Sequence, residues 1–126
     1  YTLRIAATPE EAEDLIENFT LRDDPQREQL RSVDYDQNMA LFIHSSRGEF
    51  AGPVLADLEV DRSGAEITVT ARLANTSQEA LENIRPSGWR PSYVLVVPKD
   101  GLRGQRIAVH LVIDGVSDGP SFARIE

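Results

Sequence analysis

The sequence contains no cysteine, which excludes disulfides and thiolate metal sites and leaves the compartment open, cytoplasmic or exported. Only one of its basic residues, Lys99, is a lysine; the rest are arginines. No apolar run approaches the ~20 residues that a membrane-spanning helix requires. The formal net charge is −8 and no basic stripe is concentrated anywhere, so a phosphate backbone is a disfavoured partner and nucleic acid is not expected. Walker loops, dinucleotide fingerprints, G-x-S-x-G elbows and H-x-x-x-H spacings are all missing. No catalytic residue, metal site or cofactor is therefore expected.

What is present has the composition of a globular chain. It is 40% hydrophobic and 27% charged over 126 residues, enough for one domain (1–126) burying about two-thirds of the surface of its unfolded chain. Tyr1 opens on a strand-like segment with no initiating Met, charged n-region or apolar h-region. That is the pattern of a trimmed or processed chain, with room for a signal peptide, lipid anchor or further domain ahead of it.

Thr2 to Ala6 reads as a short strand. Thr8-Pro9-Glu10-Glu11 then carries a helix start, with Thr8 as N-cap, Pro9 at the first helical position and Glu11 closing a capping box. Ala12, Leu15, Ile16 and Phe19 recur at helical spacing, so a helix over about 9–19 is expected, covering a sheet. Its acidic residues form a solvated face favoured by the helix dipole. From Thr20 to Asp36 no period is held, and Pro25 interrupts. A long connection is expected there, with one helical turn around Gln26 to Leu30. Asp34 and Asp36 flank Tyr35 in a D-x-D spacing that lacks the Gly and terminal Glu of a calcium loop.

Met39 to Ile43 is a continuous apolar run suited to a central strand covered on both faces. It leads into a glycine-hinged loop over Arg47 to Pro53. Val54, Ala56, Leu58 and Val60 alternate with Leu55, Asp57 and Glu59, and Ile67, Val69, Ala71 and Leu73 alternate with Glu66, Thr68, Thr70 and Arg72, giving a hairpin. Residues 74–92 form a second long connection stiffened by Pro86 and Pro91 around Trp89. Tyr93 to Val97 is another apolar strand, Ile107 to Ile113 alternates, and Phe122 to Ile125 adds a final edge strand. The expected class is mainly β with one N-terminal helix (α+β), the sheet occupying about 38–125 as an antiparallel or mixed sandwich or half-barrel of six or seven strands.

The histidines His44 and His110 are the only candidates for acid–base work. His44 stands beside Ser45 and Ser46 with no motif around it, and alternation puts His110 opposite the apolar face of its strand. A small hydrolase using either one is the enzymatic alternative; a structural module of a larger envelope protein is the third reading. The aromatic and cationic residues Arg47, Phe50, Gly52, Arg85, Trp89 and Arg90 form the preferred candidate site. Trp and Arg are the residue types most enriched at interaction hot spots, and arginines in an acidic chain suit a carboxylate-bearing protein partner.

Asp34-Tyr35 before the Met39 to Ile43 strand, Gly48 to Gly52 leading into an alternating strand, and Pro91-Ser92-Tyr93 through Pro98-Lys99 together resemble the C-terminal domain of PrcB-type protease-complex proteins. The likeness covers about half the chain. Where that family shows Gly-Gly-Tyr, this sequence has Gly52-Pro53-Val54. The resemblance implies an exported, non-catalytic bacterial envelope domain that assists or stabilises a protease or other envelope partner. Gly88-Trp89-Arg90-Pro91 is also distantly similar to the Arg-Pro-Trp loop of chagasin-type protease inhibitors, with the order changed.

Overall fold

A computed structural model of the chain describes residues 1–20, 24–44, 54–74 and 92–125. Mainly β, it holds two short helices and two sheets. The first sheet is three-stranded and antiparallel in the order β1 (Thr2–Ala6), β2 (Asn38–His44), β5 (Ser92–Pro98). The second is four-stranded in the order β3 (Val54–Ser63), β4 (Glu66–Ala74), β6 (Gln105–Ile113), β7 (Val116–Ile125). Because β4 and β6 run parallel while the other pairs are antiparallel, this sheet is mixed. Seven strands lie among the described residues.

Met39 to Ile43 is fully buried, in keeping with a strand covered on both faces. Met39, Leu41 and Ile43 join Leu3 in one apolar cluster with Leu55, Ile67, Val69, Ile107, Val109, Leu111 and Ile125 of the second sheet. Ala40 and Phe42, on the opposite face, pack with Ala12, Leu15, Ile16 and Leu30 of the helices. Strand β2 thus belongs to two cores at once, which is why it has no polar alternation.

Helix α1 (Pro9–Phe19) starts as its sequence prescribes: the Thr8 hydroxyl accepts the Glu11 amide at 3.1 Å. The Glu11 carboxylate accepts the amide of Ala7, one residue ahead of the usual capping-box donor. A second helix, α2 (Pro25–Arg31), replaces the single turn expected, so the described residues hold two helices rather than one. Pro25 begins it instead of breaking it, because the first helical position needs no amide donor. Arg31 joins the helices by meeting Glu13 at 2.9 Å and 3.3 Å. This guanidinium holds the Glu13 carboxyl below the ordinary carboxylate range.

The strict alternation read for β3 fails at its middle. The register with β4 shifts between Ala56 and Glu59, and Asp57 lies at φ 54°. The extra residue of this bulge lets both Leu55 and Leu58 pack on the core although they are an odd number apart. Val60, expected on the core face, ends 41% exposed.

Candidate functional site

Two cross-strand pairs define one end of the molecule. His44, the last residue of β2, is the register partner of Ser92, the first of β5. Val54, the first residue of β3, partners Ala74, the last of β4. The segments 45–53 and 75–91 therefore leave and re-enter the two sheets at neighbouring points. The two pairs are tied together, since the Tyr93 hydroxyl accepts the Leu55 amide at 2.9 Å. Tyr1 adds an aromatic contact to Tyr93, its ring centroid 6.3 Å away. The sequence-predicted site residues Arg47, Phe50, Gly52, Arg85, Trp89 and Arg90 all lie outside the described residues; the structure fixes the paired anchors of the segments that carry them.

Next to these anchors the helix-facing side of the first sheet, apolar at Ala40 and Phe42, becomes polar. Residues opposite one another on neighbouring antiparallel strands share a face, which sets Thr2, His44 and Ser92 in one row and Arg4, Phe42 and Val94 in the next. The His44 ring is stacked on Phe42 (centroids 5.3 Å, 22°) and lies 4.9 Å from Phe19 of α1. The Arg4 guanidinium caps the other side of Phe19 at 3.9 Å, and its Nε donates to His44 Nε2 at 3.1 Å. An arginine can only donate, so Nε2 is the acceptor and the imidazole is neutral at that nitrogen. Beside it Ser92 is buried, its hydroxyl without a hydrogen-bond partner, while its carbonyl accepts Gln26 Nε2 at 3.1 Å.

This arrangement differs from a serine nucleophile and its base. A histidine that activates serine accepts the hydroxyl proton, whereas His44 Nε2 faces Arg4 and Ser92 Oγ makes no bond. His110 is half-buried on the side of β6 opposite the buried Val109 and Leu111. The two histidines thus sit on different sheets, each on the face turned from the shared core, so they cannot meet at one metal ion. Among the described residues no group of three His, Asp or Glu side chains is placed to hold one.

The D-x-D segment is a turn. Asp34 Oδ1 accepts the Asp36 amide at 3.1 Å and the Asp34 carbonyl accepts that of Asn38 at 2.8 Å. Between them the buried Tyr35 donates its hydroxyl to the Leu30 carbonyl at 2.6 Å. Burial, with a smaller contribution from the negative charge of Glu13, pushes this phenol up from 10.0 to about 12. A raised acid pKa favours the folded state while the group is protonated, so this contribution is complete below pH 10.0 and is lost as pH rises through about 12. Tyr35→Phe should cost about 1 kcal/mol at neutral pH through the lost hydrogen bond. It should also reduce the fall in the urea midpoint across that alkaline window; an identical fall in both proteins would assign it to other groups.

Sequence reading missed Lys99, whose ammonium is buried and donates to the carbonyls of Ala7, at 2.6 Å, and Tyr35. It also missed the Arg4–Phe19–His44 stack, which draws on two strands and a helix. Among the described residues, no helix is long and apolar enough to cross a membrane. Compared with known proteins, the chain matches no family model, no curated protein and no solved structure.

Proposed function

We propose that the two sheets close over their shared core as a β-sandwich, and that the chain is a non-enzymatic interaction domain of the bacterial envelope. In this reading it is exported and assists or stabilises a protease or other envelope partner. The binding rim is formed by residues 47–53 and 85–91, with Arg47, Phe50, Gly52, Arg85, Trp89 and Arg90 in contact with the partner. The observation that carries this is the pairing of the anchors, His44 with Ser92 and Val54 with Ala74. Aromatic and cationic residues from two distant stretches are thereby rooted on one end of the molecule, where a clustered hot spot can form. The resemblance to PrcB-type domains supplies the compartment and the kind of partner.

Two measurements test it. With no native cysteine, an Arg47→Cys, Trp89→Cys pair should be joined by a short bis-maleimide in the folded protein and not in urea. Phe50→Ala with Trp89→Ala should stay within about 1 kcal/mol of the parent in urea unfolding yet lose partners cross-linked in the envelope fraction. An unfolded double variant would place both residues in the core and end the proposal. A hydrolase reading is favoured only by the cross-strand placement of Ser92 beside His44; it requires ester or peptide hydrolysis that Ser92→Ala abolishes.

A further inference from the structure

A second surface lies between α2 and β5, beginning one row along from the anchor Ser92. An open groove of about 560 Å³ runs there. Its apolar floor is Val33, Val94 and Val96, and Glu28, Asp34 and Asn38 stand along its sides. Val96 is 54% exposed, although its strand pairs with the wholly buried β2, because α2 is one short helix and stops before covering it.

The two charged residues that line this groove are both acidic. None of the residues lining it is cationic, and Glu28 and Asp34 both contribute carboxylates. On α2 the Arg31 guanidinium lies 3.8 Å from Glu28 and makes two shorter contacts to Glu13. The Glu28 side chain remains 81% exposed. Around the corner of Val33 and Asp34, the neighbouring notch of about 300 Å³ adds Asp36 and the Glu13–Arg31 pair. An apolar trough edged by carboxylates in a chain of net charge −8 selects against acidic and neutral occupants and favours one that carries positive charge beside small aliphatic side chains.

We propose that this groove docks an extended segment of a partner protein in which valine- or isoleucine-sized side chains alternate with lysine or arginine. The aliphatic side chains cover Val94 and Val96, and the basic ones reach Glu28 and Asp34. The proposal does not depend on the loop rim, and either can fail alone.

The test uses a short synthetic peptide alternating valine with lysine, and the same peptide with glutamate in place of lysine, titrated into the whole chain. Methyl resonances are followed by NMR. The lysine peptide should shift Val33, Val94 and Val96, weaken as salt is raised, and lose roughly tenfold in affinity on Glu28→Lys. Val96→Thr should weaken it while leaving the unfolding midpoint unchanged, since that side chain is exposed. The proposal is overturned if the lysine peptide does not bind, if the glutamate peptide binds equally, or if the shifts fall on other residues. Shifts of the same valines on raising protein concentration alone would identify a second copy as the occupant and overturn it as well.

Discussion

Lys99→Met should destabilise the fold by about 3 kcal/mol, because hydrogen bonds to a charged group contribute about 1.5–3 kcal/mol and their loss leaves buried acceptors unpaired. The Lys99 ammonium reaches the carbonyl of Ala7, where β1 gives way to α1, and that of Tyr35 in the turn before β2. The Lys99 amide bonds the Gln37 carbonyl at 2.9 Å, and its own carbonyl accepts the Leu102 amide. One residue therefore clips three separate stretches together. Methionine keeps the aliphatic stem but has no donor, and both carbonyls lose their partner. Arginine is not a substitute, because its planar fork does not fit where a compact ammonium sits. Urea unfolding measures the loss; a change under about 1 kcal/mol would mean that water replaces the ammonium. The same burial makes an independent prediction. Lys99 is the only lysine in the sequence, so an amine-acylating reagent should leave it unmodified in the native protein and label it on unfolding, as read by peptide mass.

Phe42→Ala should cost about 4 kcal/mol, within the range for removing a buried phenylalanine and leaving a cavity. Phe42 is fully buried where the helices meet the first sheet, clustered with Leu15, Ile16 and Leu30 and stacked on His44. Its loss acts on the helical layer more than on the shared core of the sheets, which Met39, Leu41 and Ile43 fill from the other face of β2. Amide exchange should accordingly rise in α1 and α2 before it rises in β4 and β6. Phe122→Ala is the control. That ring is 54% exposed beneath the Arg106 guanidinium, and its removal should change stability by no more than about 0.5 kcal/mol. Comparable losses at the two positions would show that the helical layer contributes little to the fold.

The elements that could be read from the sequence are those whose determinants are local. Thr8, Pro9 and Glu11 specify the start of α1 within four residues, and the unbroken run Met39 to Ile43 reports burial on both faces without reference to any partner. Helix α2 was read as one turn because Pro25 has two opposite meanings, breaker inside a helix and starter at its first position, and only the backbone decides between them. The bulge at Asp57 shifts the period of β3 halfway along, so the alternation holds for Leu58 and Val60 beyond it but misplaces Leu55 before it, which faces the core. The parallel pairing of β4 with β6 leaves no trace in periodicity, because alternation carries no direction. Lys99 was missed for a different reason. Lysine is ordinarily a surface residue, and this one is held by backbone carbonyls 92 and 64 residues away. Of the candidate site, the sequence supplied the aromatic and cationic residues of 45–53 and 75–91. The paired anchors that bring the two stretches to one end of the molecule needed the register.

That register gives the two stretches the character of an exchangeable cassette. Each begins and ends at a residue whose backbone is fixed by a cross-strand neighbour, and the neighbour is the anchor of the other stretch. The closure entropy of a loop grows only slowly with its length. Residues 45–53 and 75–91 could then be replaced together by sequences of other composition while the seven described strands and both helices keep their places. If these stretches bind a partner as proposed, the scaffold separates what holds the fold from what meets that partner, and other specificities are reached by varying the two stretches alone.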